Sequence, residues 1–371
     1  MFDLKIVIIG GGIAGLTAAI ALKRNKNQVV VREKNSIHGN SGIAFMLHSK
    51  TINDIHSLTD TELDLTNFKI NTFTLEDIGN THNSVKLKGW YALKRIKLLN
   101  FLQSQLTDNE YYDNSDFSHL QYKEGKAIAA IFKDGSVEYG DLFIGADGIN
   151  SQVRGLVCES HFFPNEINEL VCIAKHKDEN THDSTFRKYL SIKEGMMFGF
   201  IPISNNEHVW FLQFDSRLYG STFQKSSEIE NAIGPELLSE FPEKVREIIK
   251  SSDLKKAHLW KNKELKLLPS YHKANICLIG DAAHGSISLT SFGVSSGVSS
   301  AIKLAQVLNS SESLQSALNK YDKVRKKENA LTIEYAKRLK LQFNSPPDGI
   351  DNYDLPLFHS DFCKPTQFLG F

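Results

Sequence analysis

The chain has 371 residues, a formal net charge of zero and a pI near 7.2. This length predicts two domains sharing an interface, and the balanced charge gives no electrostatic basis for binding nucleic acid or an acidic membrane surface. Four scattered cysteines, no apolar run of the ~18–20 residues that span a bilayer, and a first strand close to Met1 predict a soluble, cytoplasmic enzyme with reduced thiols.

The first predicted elements are a strand over residues 4–9, a glycine-rich turn and a helix. In the turn, Gly10-x-Gly12-x-x-Gly15 has the spacing of the dinucleotide fingerprint. Gly10 permits the tight turn, Gly12 lets a pyrophosphate approach the backbone, and Gly15 lets the helix pack closely on the strand. Phosphates would lie at the positive end of the helix dipole, so the candidate binding residues are Gly10, Gly12, Ile13, Ala14 and Gly15.

The second strand, residues 28–32, ends at Glu33. A carboxylate at this position can accept hydrogen bonds from ribose hydroxyls, and its charge disfavours a 2′-phosphate. Lys34 and Gly42, in the polar connection that follows, are further candidates for cofactor binding. This part of the chain predicts a dinucleotide site and leaves FAD and NAD as alternatives.

The later elements are predicted from apolar periodicity and turn residues. In chain order they are a helix over 92–106, a hairpin over 127–139, a strand over 142–146, antiparallel strands over 186–192, 196–203 and 208–214, and helices over 297–309 and 313–342. The last helix carries a run of basic residues that we interpret as a solvated face: Lys320, Lys323, Arg325, Lys326 and Lys327. The tail, 345–371, is predicted either to pack as a cap or to be a loosely ordered end.

Two further motifs complete the pattern. Asp147-Gly148 follows the strand over 142–146, and Gly280-Asp281-Ala282-Ala283-His284 follows about 130 residues later. In this order the three motifs describe one FAD site. The chain resembles the single-component FAD-dependent aromatic hydroxylases of the para-hydroxybenzoate hydroxylase type, and its pattern is similar to that of the tetracycline-inactivating monooxygenases, over roughly residues 3–340.

The resemblance implies a role for each matching residue. Asp281 would bind a ribityl hydroxyl of FAD, and the backbone N–H groups of Gly293 and Val294 would face the flavin N1/C2 carbonyl edge. Asp147 and Gly148 would lie near the pyrophosphate. Two further residues have alternatives: Arg95 is either an FAD contact or a surface arginine, and His284 is structural or close to the cofactor rather than an acid–base catalyst.

Three serines depart from the family pattern. Ser288 replaces a usual proline, Ser291 a usual glycine, and Ser300 an acidic residue that is often present. Because proline stiffens a backbone, Ser288 is expected to loosen the loop that holds the flavin. These departures leave FAD binding expected and put efficient hydroxylation in question.

The expected fold class is α/β, with a Rossmann-like FAD-binding domain, a mainly antiparallel β substrate domain and a C-terminal helix. The boundaries are 1–154 and 271–309 for the FAD-binding domain, 155–270 for the substrate domain, 310–344 for the helix and 345–371 for the tail. Pieces of 50–90 are left open between the two domains.

The implied activity is NAD(P)H- and O2-dependent hydroxylation of an aromatic or polycyclic small molecule through a flavin C4a-hydroperoxide. No second fingerprint is present, so NADPH or NADH would dock transiently. About half of the aromatic strand residues can face a substrate pocket, because side chains alternate. The candidate wall residues are Met197, Phe198, Phe200, Trp210 and Phe214.

Two alternatives stay open: a flavin oxidase or reductase on the same scaffold, and a non-catalytic flavin-binding relative. Irregular His and Cys spacing gives no metal site. The sequence does not determine the substrate, the choice between NADH and NADPH, or the oligomeric state.

Overall fold

The computed structural model describes residues 3–36, 43–65, 69–77, 82–159, 162–175, 184–191, 194–223, 233, 237, 239–347, 350 and 353. Gly42 and nearly all of the 345–371 tail therefore lie outside the described residues.

The described strands are β1 (Lys5–Ile9), β2 (Gln28–Arg32), β3 (Ala44–His48), β4 (Lys69–Glu76), β5 (His82–Lys94), β6 (Tyr111–Tyr112), β7 (Phe117–Lys123), β8 (Lys126–Phe132), β9 (Val137–Tyr139), β10 (Leu142–Gly145), β11 (Phe162–Pro164), β12 (Ile167–Ala174), β13 (Thr185–Leu190), β14 (Met196–Ser204), β15 (Glu207–Asp215), β16 (His258–Trp260), β17 (Lys263–Leu265), β18 (His272–Lys273) and β19 (Ile276–Leu278). The described helices are α1 (Ile13–Arg24), α2 (Ser49–His56), α3 (Arg95–Gln103), α4 (Gln152–Val157), α5 (Ser216–Tyr219), α6 (Glu243–Lys250), α7 (Asp281–His284), α8 (Gly293–Asn309) and α9 (Leu314–Asn344).

A mainly parallel sheet forms the first layer of the fold. Its six strands run in the order β18-β19-β10-β1-β2-β6, and β1, β2, β10 and β19 are mutually parallel neighbours. The apolar runs predicted as strands are buried, as expected for parallel strands covered on both faces. Since β1, β10 and β19 lie side by side, the three motifs that follow them meet at one edge of the sheet.

A second sheet of eight strands has the order β16-β12-β15-β14-β13-β4-β5-β3. All its pairings are antiparallel except that of β4 with β13. Strand β4 and most of β5 come from residues 50–90, the region left open above, and β3 lies just before that region; all three strands belong to this sheet. One face packs on α6, and the other packs on α9 and the loop before α8. The α/β class with its C-terminal helix is confirmed.

Some predicted bounds shift for physical reasons. The helix predicted over 92–106 begins at Arg95, because β5 continues to Lys94 as a paired strand of the second sheet. The helix predicted from 297 begins at Gly293, before its apolar stripe starts. The hairpin is confirmed, with β8 and β9 antiparallel around Asp134-Gly135.

The long helix α9 connects the two sheets. Near its start, Leu318 and Tyr321 pack against the parallel sheet, and near its end Leu339 and Phe343 pack against the second sheet. Among the described residues, no helix combines the length and apolar character needed to cross a bilayer.

Candidate functional site

The fingerprint turn has steric reasons for two of its glycines. Gly10 has a φ of +111°, and a Cβ there would lie 2.3 Å from the carbonyl oxygen of Ala146. A Cβ on Gly15 would lie 2.0 Å from the carbonyl oxygen of Gly10. By contrast, no atom lies within 4 Å of a Cβ built on Gly12, which caps α1 without a side-chain hydrogen bond. The start of α1 therefore faces open space that can take a phosphate.

Glu33 is fixed against this turn. Its Oε2 accepts a hydrogen bond from the Gly11 N–H at 2.7 Å, and its Oε1 accepts one from Asn35 at 3.0 Å. Burial and the charge of Glu33 raise the pKa of the neighbouring Tyr111 to about 12. Each carboxylate oxygen keeps acceptor capacity, so Glu33 can still bind a hydroxyl group. Lys34 beside it is exposed.

Asp147 organises the second motif. Its carboxylate accepts hydrogen bonds from Ser151 Oγ at 2.5 Å, Gln152 N at 2.7 Å and Val153 N at 3.2 Å, so it caps α4. Gly148 has a φ of +77°, and no atom lies within 4 Å of a Cβ built on it. The hydrogen bonds of Asp147 thus fix the loop, and Gly148 leaves open space beside the loop.

Arg154 joins the second motif to the third. Its side chain is 3% exposed and donates hydrogen bonds to the carbonyl oxygens of Ile149, at 2.8 Å, and Ala282, at 3.1 Å. Burial lowers the pKa of Arg154, and the charge of Asp147 opposes this shift.

Helix α1 meets the third motif through Ala14. A Cβ on Gly280, whose φ is +57°, would lie 2.7 Å from the Cβ of Ala14, and one on Gly297 would lie 3.4 Å from it. The Gly280 N–H donates to Ser300 Oγ at 3.1 Å, and Ser300 is fully buried. Ser300, one of the departures from the family pattern, therefore supports the backbone of the Gly280–His284 turn.

Arg95 lies in the electrostatic field of two motifs. Burial lowers the pKa of Arg95, and the charges of Asp281 and Glu33 oppose this shift. Asp281 is exposed to solvent. Enclosure by the protein raises the pKa of Asp281, and Arg95 opposes the rise. The structure thus brings Arg95 near both carboxylates.

His284 belongs to a polar network beneath the turn. Its Nδ1 is 3.1 Å from Ser296 Oγ, and its Nε2 is 3.2 Å from Nη2 of Arg325. Burial and the charge of Arg325 lower the pKa of His284 well below its usual range. The network continues from Arg325 to Asn329 at 3.1 Å and from Asn329 to the Tyr271 hydroxyl at 2.8 Å.

This network corrects the interpretation of the basic run on the last helix. Arg325 is 2% exposed, so the run is not uniformly a solvated face. Helix periodicity turns Arg325 inward, where His284, Ser296 and Asn329 contact its guanidinium group.

The loop before α8 is held by serine contacts. Ser288 Oγ donates to Glu169 Oε2 at 3.0 Å and lies 3.2 Å from the amide nitrogen of Asn262. Ser291 has a φ of +54°, a left-handed conformation that glycine adopts at lower cost, which explains the usual glycine there. Side-chain hydrogen bonds thus anchor the loop where the family pattern has proline.

Helix α8 begins at Gly293 with no side-chain cap. No atom lies within 4 Å of a Cβ built on Gly293. The first N–H groups of a helix have no intrahelical partner, so the N–H groups of Gly293 and Val294 can face a ligand in this open space.

The candidate wall residues divide between two faces of the second sheet. Met197 lines a cavity with Phe73, Leu289 and Phe343. A correction applies to the other four, Phe198, Phe200, Trp210 and Phe214, which are buried on the opposite face against α6. Side chains alternate along a strand, and the sequence pattern did not show which set faces the cavity.

Sequence reasoning missed two charged residues of the cavity face. Lys188 lines the cavity, and Glu169 accepts hydrogen bonds from Gln213, at 2.7 Å, and Ser288. The sequence signal for Lys188 is its position two residues from both Phe186 and Leu190. The three side chains share one face of the strand, so a charged residue lies on the apolar face.

Comparison with known proteins identifies the family. The family described as "FAD binding domain" matches residues 3–334. Hispidin-3-hydroxylase of Neonothopanus nambi is 26% identical over 170 residues, which cover 42% of this chain and only 40% of that protein. The 6-methylsalicylate 1-monooxygenase atA of Aspergillus terreus is 25% identical over 361 residues, covering 86% of this chain and 79% of that protein.

Solved structures share the fold. HpxO of Klebsiella pneumoniae, solved with FAD and uric acid, has a TM-score of 0.81 at 16% identity and covers 93% of this chain and 90% of its own. Tetracycline destructase Tet(51) has a TM-score of 0.68 at 17% identity and covers 95% of each chain. The chain therefore belongs to the family described as FAD binding domain, and several of the relatives that it matches are named as hydroxylases or FAD-dependent monooxygenases.

Proposed function

We propose that this protein is an NAD(P)H-dependent monooxygenase that uses O2 to hydroxylate an aromatic or polycyclic small molecule. The observation that carries the proposal is an apolar cavity next to the cofactor motifs. Leu289, from the loop between the Gly280–His284 turn and α8, forms part of its lining. A substrate in this cavity would therefore contact the loop that precedes the expected flavin-binding helix.

The residues present fit FAD. The open space at Gly12 and at the start of α1 suits the pyrophosphate, and Glu33 suits a ribose. Asp281, which is exposed and lies in the electrostatic field of Arg95, suits the ribityl chain. Backbone N–H groups of Gly293 and Val294 would favour negative charge on the flavin edge. When bound, the flavin supplies the redox chemistry, and the protein orients it and excludes water.

Two further observations support the proposed reductant and substrate class. The sequence has one dinucleotide fingerprint, which FAD would occupy, so NADPH or NADH would bind transiently. Relatives named for hydroxylation of hispidin and 6-methylsalicylate support an aromatic substrate.

The first experiment is reduction of the purified protein without oxygen, followed at the flavin absorbance near 450 nm. Bleaching by NADPH or NADH would support the proposal, and uptake of one atom of labelled O2 into an aromatic product would complete the test. A yellow protein that neither nucleotide reduces, with or without aromatic compounds, would favour an oxidase or a non-catalytic relative. A colourless protein that cannot be loaded with FAD would overturn the proposal.

A further inference from the structure

The cavity described above is apolar except at a few points. Phe73, Leu75, Met197 and Leu289 line it, together with Leu339 and Phe343 of α9. Lys188 provides the cationic group in the described part of the lining, where Gln342 and Tyr353 are the other polar side chains. A cation in such a wall requires an explanation, because lysine is rarely buried without a partner.

Lys188 is held in place by the register of the sheet. It pairs with Gly199 of β14, which in turn pairs with Phe211 of β15. The ring of Phe211 covers Gly199, since a Cβ there would lie 2.2 Å from its Cζ. The ammonium group lies 5.6 Å from the centroid of this ring and 6.0 Å from that of Phe186. Because Gly199 has no side chain, there is room for both the Lys188 side chain and the Phe211 ring.

The ammonium group has capacity to bind a ligand. Lys188 is 8% exposed, and no hydrogen bond to its ammonium group occurs among the described residues. The nearest compensating charge is Glu169, but Oε2 of that carboxylate already accepts hydrogen bonds from Gln213 and Ser288. Burial lowers the pKa of Lys188 to about 8 and the charge of Glu169 opposes this, so the side chain is mostly cationic at neutral pH.

An anionic oxygen entering the cavity would satisfy this group. An ammonium carries three donors, and a charge-assisted hydrogen bond is stronger in a site with few water molecules. A neutral ligand would leave the charge of Glu169 as the compensation for the buried cation and would bring no anionic acceptor to its N–H groups.

We propose that Lys188 binds an ionised oxygen substituent of the substrate, so that the cavity selects acidic aromatic molecules, either carboxylates or phenolates. This inference rests on the proposed monooxygenase function, since it names the substrate class of the same site. Lys188 acts as a specificity-determining residue, and the apolar lining accepts the aromatic body.

The test is isothermal titration calorimetry of the FAD-loaded full chain with matched probes. All probes are titrated at pH 7: salicylate and 1-hydroxy-2-naphthoate are each compared with the corresponding amide, which lacks the carboxylate. Pentafluorophenol, which is ionised at this pH, is compared with its neutral methyl ether to test a phenolate. The wild type is expected to bind at least one anion about tenfold or more tightly than its neutral counterpart. A preference confined to the acids identifies a carboxylate site, and one confined to pentafluorophenol identifies a phenolate site.

Three variants separate charge from folding. Lys188→Met should reduce the preference to less than about twofold while binding the neutral probe as before, and Lys188→Arg should keep a preference. Lys244→Met is the matched control, since it removes a lysine 5.7 Å from the Phe200 ring on the opposite face of the sheet and should leave the preference unchanged. Urea unfolding of each variant checks that the fold is retained.

The inference is overturned if the wild type binds neutral and anionic probes equally or binds neither, or if Lys188→Met keeps the preference. Reduction by NADPH is measured on the same preparations. A reducible flavin without anion preference would refute this inference alone. Anion preference in a protein that no nicotinamide nucleotide reduces would refute the proposed function and leave the binding site supported.

Discussion

Arg154 donates a hydrogen bond to the carbonyl oxygen of Ala282, 128 positions further along the chain, and so fixes the Asp147-Gly148 loop against the Gly280–His284 turn. Replacement by alanine would leave the buried carbonyl oxygen of Ala282 and the partly buried one of Ile149 without this donor. We expect Arg154→Ala to lower the free energy of unfolding by about 2–3 kcal/mol and to weaken FAD binding. Urea unfolding and FAD titration measure the two effects. Arg24→Ala, which removes a largely exposed ion pair with Asp60, should cost less than about 1 kcal/mol; equal losses in both variants would contradict the bridging role.

Gly12 and Gly15 should separate ligand binding from folding. Gly12→Val adds a side chain in open space, so the cofactor-free protein should lose less than about 1 kcal/mol of stability. The same side chain would block the pyrophosphate and weaken FAD binding at least about tenfold. Gly15→Ala meets the Gly10 carbonyl oxygen and should destabilise the fold itself by about 3 kcal/mol or more. Thermal unfolding with and without FAD measures both, and full FAD occupancy of Gly12→Val would refute the fingerprint assignment.

Asp281 is expected to act on the cofactor rather than on the fold. Asp281→Ala removes an acceptor from an accessible position, so FAD affinity should fall at least about tenfold with little change in cofactor-free stability. Asp281→Asn, which keeps one acceptor oxygen, should lose less affinity. Flavin absorbance after gel filtration measures retained FAD. An alanine variant that stays fully yellow would contradict the assignment.

Ser288 should stabilise the loop through its side chain. Ser288→Ala removes a donor from Glu169 and should cost about 1–2 kcal/mol. Ile287, with φ −66° and ψ 148°, already has the conformation that favours a following proline. We therefore expect Ser288→Pro to recover about 0.4–1 kcal/mol relative to the alanine variant. Urea unfolding midpoints test this order, and identical midpoints for wild type and Ser288→Ala would show that the Glu169 contact contributes nothing.

His284 should make stability depend on pH. The pKa of His284 is lowered in the folded state, so the unfolded chain binds the extra proton below its ordinary pKa near 6.5. The contribution to stability is complete above pH 6.5 and is lost as the pH falls from there through the folded pKa. The slope for one proton reaches at most about 1.4 kcal/mol per pH unit. Unfolding free energies measured from pH 8 to pH 5 should show a shallower acid slope for His284→Asn than for the wild type, and parallel curves would exclude this role.

The parts of the site that sequence could predict are those coded locally. Gly10, Gly15 and Glu33 belong to one local strand–turn–helix–strand unit, so their spacing in the sequence predicts their relative positions. Asp281 and Arg95 were predicted from family resemblance. Their proximity depends on β1, β10 and β19 ending at one edge of the parallel sheet.

The missed residues depend on long-range order. Lys188 and Glu169 lie on β13 and β12, which come to lie in one sheet, separated by two strands, only through the order β12-β15-β14-β13. In the sequence, Arg325 is one of five basic residues of its helix. Only the packing of His284 beside it distinguishes Arg325 from the other four. Alternation places Met197 and Phe198 on opposite faces of the sheet. Only the packing of α6 and α9 determines which of these faces lines the cavity.

Helix α9 runs for 31 residues, or about 46 Å, without a break. Tyr321 donates to the Leu278 carbonyl oxygen in the parallel sheet, and Phe343 contributes to the cavity wall on the second sheet. One continuous helix packs on both sheets. If α9 separated from either sheet, it would therefore also expose apolar surface of the other. The two halves should therefore denature in one cooperative transition, and a cavity-creating change such as Phe343→Ala should lower the melting of the cofactor-binding half as well.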